Sequence, residues 1–201
     1  MPNTSAARTG RDRAQRADAR ANREHILDVA EVVFGESGES ATTEEVARRA
    51  GVGVATVFRH FPTKAVLLEV VLTRRFDRLR EEAQALLDAP NPGAAFFEFF
   101  RRLVVEAPPK IAIGRAFLEA GGERDGAAAR AADGLRRAVG SLLDRAQQAG
   151  TVRTDIDLPT VCTLLVAASH MSAHIDLPAE VKDRALAILL DGLTCRIGRA
   201  W

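Results

Sequence analysis

Residue types that suit contact with a nucleic acid are concentrated between positions 53 and 64. Small or compact side chains come first and would let a helix approach base edges closely: Val54 and Ala55 suit thymine methyl groups, and Thr56 suits a base edge or a phosphate. Cationic side chains follow, where they would meet phosphate groups, and one of them would begin the next helix. The predicted contacts are Gly53, Val54, Ala55, Thr56, Arg59, His60 and Lys64.

A second candidate for chemistry is the pair His170 and His174, which lie one helical turn apart and share a helix face. Such a pair binds a metal ion when a third ligand approaches, but Asp176 and Cys162 are only the nearest options, so no metal site is predicted. We expect the imidazoles at a helix–helix interface or beside a ligand. Ser169 and His170 are chain neighbours on a helix, so their side chains diverge and form no nucleophile–base pair.

Composition and motifs exclude several other classes of protein. The chain contains no GxSxG, GxxxxGK[ST] or HExxH motif and no Gly-rich dinucleotide loop, so neither enzyme activity nor a cofactor is predicted. Its two cysteines match no disulfide framework or zinc spacing, which favours the cytoplasm. No signal-type apolar segment and no membrane-length apolar run is found, so no membrane partner is expected.

Two short helices are predicted at 43–50 and 54–60, joined by a turn that contains Gly51. A threonine followed by acidic residues marks the start of the first, and Pro62 lies just past the end of the second. Such a pair is the helix-turn-helix arrangement, whose second helix enters the major groove. A helix is predicted to begin at Asn22 before this pair, and a long helix over 63–87 follows it and would contact both halves of the chain.

The segment from Thr42 to Lys64 resembles the signature of TetR-type repressors. The shared features are a threonine at the start of the first short helix, an Ala-Gly-Val turn, a threonine in the second helix, and a closing aromatic-x-His-Phe-x-x-Lys. The resemblance includes the helix before this segment, whereas the rest of the chain matches only in length and helix count. It implies an all-α fold, binding of DNA as a dimer, and an effector-binding C-terminal domain.

The resemblance also assigns roles to single residues. It implies that Thr43 bonds a phosphate beside the first short helix. Phe58 stands where the family usually has a tyrosine, so the phosphate bond of that hydroxyl is lost. Glu44 lies where some members use a base-contacting cation, and Val54 replaces a common polar residue. These departures leave the operator sequence open, while DNA contacts are kept at Thr56, His60 and Lys64.

The remaining sequence is also helical in pattern, and no stretch shows the alternation of a strand. We therefore predict an all-α fold of about nine helices. The predicted helices of the second half cover 94–107, 110–120, 127–149, 159–175 and 178–198. The predicted domains are a flexible basic arm (1–20), a helix-turn-helix domain (21–67), and a ligand-binding and dimerisation domain (68–201).

The arm carries most of the charge asymmetry of the chain. Residues 1–23 hold six arginines against two aspartates, a net charge of +4, whereas the whole chain has a net charge of +1. A basic arm ahead of a nearly neutral body suits contact with phosphate groups. A solvated tail with no partner is the alternative.

Apolar residues of the second half are candidates for a ligand pocket. Pockets for small molecules are mostly apolar with a few polar groups, and the phenylalanine cluster at 96–100 would favour an apolar or aromatic effector. The alternative is that these side chains only pack the core. The predicted lining is Phe96, Phe97, Phe100, Ile113, Phe117, Val166, His170 and His174.

The last two predicted helices carry apolar stripes that suit a homodimer through residues 159–198. Two such helices from each partner would form a four-helix bundle and present two recognition helices to a near-palindromic operator. Packing within one chain is the alternative. The predicted function is a repressor that releases double-stranded DNA when a small molecule binds. An activator with the same fold and a helical interaction module without DNA affinity remain as alternatives.

Overall fold

The computed structural model describes residues 4–174 and 176–195, and within these ranges the chain forms nine α-helices and one 3₁₀ turn. Among the described residues no strand occurs; one isolated antiparallel bridge pairs Val152 with Thr194. The predicted all-α fold of about nine helices is confirmed. The helices are α1 (Thr4–Ser37), α2 (Thr43–Arg49), α3 (Val54–His60), α4 (Lys64–Leu86), α5 (Pro92–Val105), α6 (Ala107–Glu119), α7 (Ala127–Gln148), α8 (Leu158–His174) and α9 (Ala179–Leu193), with the 3₁₀ turn at Gly38–Ser40.

Side-chain caps explain where several helices begin. The Thr42 hydroxyl accepts a hydrogen bond from the Glu45 amide at 3.2 Å, and the Thr63 hydroxyl accepts one from the Val66 amide at 3.1 Å. Each oxygen bonds an amide that has no partner within its own helix. Asn91 caps α5 in the same way, ahead of a proline whose fixed φ suits a first turn.

Two predicted boundaries lie more than about four residues from those in the structure. Helix α1 begins at Thr4 rather than at Asn22, because alanine and arginine dominate positions 6–21 and are strong helix formers without any apolar stripe. Helix α9 ends at Leu193 rather than at residue 198. Thr194 is extended and joins the bridge to Val152, where the Cys195 amide donates to the Thr151 carbonyl at 2.9 Å. Positions 196–198 lie outside the described residues.

The buried side chains form two clusters, and α4 contributes to both. The first cluster joins α1, α2, α3, the first half of α4 and the inner face of α6. The second joins the end of α4 to α5, α7, α8 and α9. Phe76 of α4 packs against both clusters. The long helix therefore links the helix-turn-helix region physically to the C-terminal helices, as its predicted position between the two halves indicated.

Candidate nucleic-acid interface

The turn between α2 and α3 depends on a glycine in the left-handed region. Gly51 has φ +68°, a conformation that costs other residues free energy. Its amide donates to the Arg48 carbonyl at 3.3 Å, and the Val52 amide donates to the Ala47 carbonyl at 3.0 Å. These two bonds close the end of α2 in the Schellman pattern and direct the chain into α3. Both short helices were predicted correctly, α3 to the residue.

Helix α3 is anchored by one face and exposed on the other. Val57 is buried within the helix, and Phe61, which caps its end, is 1% exposed. On the opposite side Ala55, Phe58 and Arg59 are exposed at the spacing of one helix face. The outward face is therefore small at its start, apolar in its middle and cationic at its end.

Most of the other predicted contacts of this region are less accessible. Val54, Thr56 and His60 are half-buried, and Gly53 is exposed as the residue that caps α3. Thr43 lies in the first turn of α2 and is only 6% exposed, so its predicted phosphate bond would need the hydroxyl to reach past its packing neighbours.

Lys64 has an internal role that its predicted phosphate contact did not include. Its ammonium donates to the Ala41 carbonyl at 2.7 Å and to the Glu39 carbonyl at 3.2 Å. It also lies 5.3 Å from the centre of the Phe34 ring, within cation–π distance. Lys64 therefore ties the start of α4 to the 3₁₀ turn and to α1.

We expect Lys64→Met to destabilise the fold by about 1–3 kcal/mol, because two backbone carbonyls would lose a charged donor while the side-chain length is kept. The measurement is urea unfolding followed by circular dichroism. Arg59→Met is the control: it removes a cation from the exposed face of α3 and should leave the unfolding midpoint nearly unchanged. Equal midpoints for the two variants would contradict the structural role of Lys64.

The cations of α2 are paired with carboxylates on the same side of the molecule. Glu45 accepts hydrogen bonds from Arg48 at 2.6 Å and from Arg49 at 2.7 Å, and Arg49 also reaches Glu36 at 2.7 Å. Hydrogen bonds from Arg48 and then from Arg49 lower the pKa of Glu45 to about 2. The carboxylate therefore stays ionised at any physiological pH, and both arginines are held along α2.

Sequence reasoning missed the ion pairs that join α1 to α4. Arg75 reaches Glu31 at 2.7 Å and Arg78 reaches the same carboxylate oxygen at 2.6 Å, while Arg74 pairs with Asp28 at 2.9 Å. Arg75 and Glu31 are only 11% and 16% exposed, so this pair is shielded from solvent screening more than a surface pair is. The acidic spacing 24, 28, 31 on α1 was a signal for such a face.

The predicted pocket residues whose side chains the structure describes fall into different clusters. Ile113 and Phe117 belong to the first core, whereas Phe96 and Phe100 are buried in the second and Phe97 packs against it. Val166 is 55% exposed, and His170 is also exposed. The side chain of His174 lies outside the described residues. Within the described part of the chain no cluster of three or more metal-ligating side chains occurs.

Two open clefts flank the contact between α1 and α6. One, of about 520 Å³, lies between the 3₁₀ turn and α6 and includes Pro108 and Arg115 in its lining. The other, of about 450 Å³, is lined by charged residues of α1 and α4 together with Val32 and Pro109. None of the eight predicted pocket residues lines either cleft. The Arg115 guanidinium reaches Glu39 at 2.7 Å, so the 3₁₀ turn is bound to α6 as well as to α4.

The apolar residues of α8 and α9 are partly buried in the core and partly exposed on the surface. Val161, Ala168 and Leu193 are buried within the chain. Val181 and Ile188 of α9 are 43% and 66% exposed, and Val166 of α8 is exposed as well. Ile175, at the end of the predicted helix 159–175, lies outside the described residues. Each of these two helices therefore keeps exposed apolar side chains, Val166 on α8 and Val181 with Ile188 on α9.

These features define a class: a helix-turn-helix protein with an exposed recognition helix and an all-helical C-terminal domain. Of the helices within the described ranges, none combines the length and apolar character needed to cross a membrane. Residues 26–71 match the family described as bacterial regulatory proteins, tetR family, and residues 91–195 match the SbtR-like transcriptional regulator C-terminal domain. The chain belongs to the TetR family of helix-turn-helix transcriptional regulators.

Similar proteins of known structure cover nearly the whole chain. A TetR regulatory protein from Mycobacterium vanbaalenii is 37% identical, with 90% of this chain and 99% of that chain covered and a TM-score of 0.71. A TetR regulator from Streptomyces coelicolor is 31% identical, with 87% and 99% covered and a TM-score of 0.70. An HTH-type transcriptional regulator of Staphylococcus aureus is 33% identical over 78 residues, 37% of this chain, and the match spans only 40% of that relative's length.

Proposed function

We propose that the protein is a cytoplasmic repressor that binds a near-palindromic operator as a homodimer and releases it when a small apolar or aromatic molecule binds the C-terminal domain. The observation that carries the DNA-binding part is the outward face of α3, with Ala55, Phe58 and Arg59 exposed beside a firmly buried Val57. A small side chain at the leading turn allows close approach to base edges, and a cation at the end suits phosphate.

Dimerisation is proposed through residues 159–198, by the outward face of α8 and α9. Val166, Val181 and Ile188 are exposed there on an otherwise folded C-terminal domain. Val181 and Ile188 are two helical turns apart and share one face of α9, and exposed apolar side chains on one face are typical of protein–protein interfaces. A two-fold axis through this face would repeat α3 at a fixed spacing, which a palindromic operator requires.

Effector release follows from the arrangement of the two cores. Phe96 and Phe100 are each 2% exposed, so a ligand among these rings would have to separate helices that are packed together here. A ligand that binds only the opened arrangement shifts the population toward it. Because α4 contributes to both cores, such an opening would change the position of the helix-turn-helix, and by linkage DNA would weaken ligand binding equally.

The test is fluorescence anisotropy with duplex DNA selected by the protein from a randomised library, against a scrambled duplex at 0.15 M salt. We expect selective binding by the parent protein. Arg59→Met should weaken operator binding about tenfold, since one charge-assisted phosphate contact per protomer is lost. Arg136→Met, which removes an exposed cation from α7, is the matched control and should bind as the parent does.

Equal and weak binding to both duplexes would overturn the regulator proposal and favour the interaction module. Selective binding that Arg59→Met leaves unchanged would instead place the recognition surface away from the end of α3. A reporter strain lacking the gene then separates repression from activation, because only a repressor raises expression from its operator when it is removed.

A further inference from the structure

The N-terminus of α7 is capped by a side chain from another helix rather than by one of its own. Gly126 precedes the helix and has no side chain, and the first turn of α7 contains no acidic residue. The Glu69 carboxylate of α4 instead accepts a hydrogen bond from the Ala127 amide at 2.6 Å, across 58 residues of sequence. That amide has no partner within its own helix, and the negative charge lies at the positive end of the α7 dipole. The cap is therefore a tertiary contact between α4 and α7.

Glu69 joins the two halves of the molecule at this point. Its neighbours Leu68 and Leu72 on α4 are buried in the first core, which also holds α3. Ala128, at the start of α7, belongs to the same core, whereas Leu135, two turns later, belongs to the second. Within the described part of the chain, α4 and α7 share the most extensive contact between two helices. The cap therefore fixes the end of that contact that lies in the same core as the helix-turn-helix.

A glycine keeps the space beside the carboxylate open. A Cβ at Gly126 would overlap the Glu69 carboxylate. Gly126 has φ −72°, outside the left-handed region, so its backbone conformation does not require a glycine. Close approach of the carboxylate does require one. An alanine at this position would displace the flexible Glu69 side chain and leave the α7 amide uncapped, so the contact can be broken from either helix.

We propose that Glu69 is a positioning residue, which holds the helix-turn-helix at a fixed angle to the C-terminal domain and thereby sets the half-site spacing that the dimer selects. This role rests on the proposed binding of DNA as a dimer through α8 and α9. In that dimer the C-terminal domains are joined, and each recognition helix is carried by the first half of α4. A change in the angle between α4 and α7 would then move the two recognition helices relative to each other, whereas a duplex with fixed half-sites fits one separation.

The test compares the loss of two helix caps in the full chain. Glu69→Ala removes the cap that joins α4 to α7. Asn91→Ala removes a cap within one helix terminus, where the Asn91 side chain accepts a hydrogen bond from the Ala94 amide at 3.0 Å. Gly126→Ala breaks the Glu69 contact without removing the carboxylate, and Glu69→Gln keeps an acceptor oxygen without the charge. Affinity is measured by anisotropy on the library-selected duplex and on the same duplex with two base pairs inserted between its half-sites.

The parent protein should bind the lengthened duplex about 100-fold more weakly than the selected one, because the insertion displaces one half-site by about 7 Å and prevents both from being bound together. Glu69→Ala and Gly126→Ala should reduce this ratio of affinities to about tenfold or less, since a looser junction between α4 and α7 fits both spacings. Glu69→Gln should lie between these variants and the parent, because it keeps a neutral and weaker hydrogen bond. Asn91→Ala should lower the urea midpoint as Glu69→Ala does, yet keep the parental ratio.

A parental ratio in Glu69→Ala would overturn the proposal. So would an equal fall in the ratio for Asn91→Ala, because the spacing preference would then follow overall stability rather than the α4–α7 contact. If Glu69→Ala does not fold, Gly126→Ala decides by the same ratio. Failure of the parent to select any duplex would contradict the proposed function itself, on which this role of Glu69 rests.

Discussion

Ile188→Glu should convert the protein to a folded monomer that binds its operator about 100-fold or more weakly. Ile188 is 66% exposed at the middle of the outward face of α9. In the proposed two-fold interface the substitution would place two carboxylates, one from each protomer, in an apolar contact where they lose hydration without gaining a partner. A single helix-turn-helix would then bind without the gain in effective concentration that a linked second half-site provides.

The measurements are sedimentation velocity for the mass and anisotropy for the operator affinity. Val105→Glu is the matched control, because Val105 is 61% exposed at the end of α5 and lies outside residues 159–198. Both positions are exposed within one protomer, so each substitution should shift the free energy of unfolding of the isolated protomer by less than about 0.5 kcal/mol. A variant that remains dimeric at micromolar concentration with unchanged affinity would place the interface elsewhere.

The recognition helix could be predicted closely from sequence because its limits are set by local chemistry. Gly51 allows the left-handed turn, Gly53 caps α3, and Pro62 follows directly after the residue that ends it. Each of these acts within a few residues of its own position, so no knowledge of the tertiary fold is needed. The cap that Thr63 provides for α4 is of the same local kind.

The start of α1 was predicted incorrectly because helix formation does not require an apolar stripe. Positions 6–21 lack apolar periodicity, which favoured a flexible arm, yet their alanine and arginine content favours helix. The row of arginines at 13, 16, 20 and 23 has the same spacing as a core face. A search for periodicity among apolar residues alone does not detect this spacing of arginines.

The predicted pocket residues Ile113 and Phe117 lie in a different core from Phe96 and Phe100 for a tertiary reason. Ile113 and Phe117 lie on one face of α6 by their spacing, and the spacing is correct. Which helix that face meets depends on how α6 is placed between α1 and α4, and it packs into the first core rather than against Phe96 and Phe100. Glu31 pairs with Arg75 and Arg78, which lie 44 and 47 residues away in the sequence. These ion pairs therefore also depend on how the helices are placed in the tertiary fold.

Phe61→Ala should destabilise the protein by about 3–5 kcal/mol, since Phe61 is 1% exposed in the first core and its removal leaves a cavity that α1 and α4 can only partly close. Small domains have about 5–15 kcal/mol of stability, so the helix-turn-helix region would be partly unfolded at 37 °C. Phe58→Ala removes the same ring three residues away, at a position that is 41% exposed, and should cost less than about 1 kcal/mol.

Comparing Phe58→Ala with Phe61→Ala separates the effect on folding from the effect on DNA recognition at α3 and the residue that caps it. Phe58 faces outward with Ala55 and Arg59, so its loss should weaken operator binding while the urea midpoint stays near that of the parent. Phe61 supports α3 from beneath and stacks with Arg23, so its loss should lower both the midpoint and the affinity. If Phe58→Ala lowered the midpoint as far as Phe61→Ala does, the outward face of α3 would be packed against protein rather than open to DNA. Because the two variants lose the same ring, a difference between them reports the direction in which each ring faces and not its size.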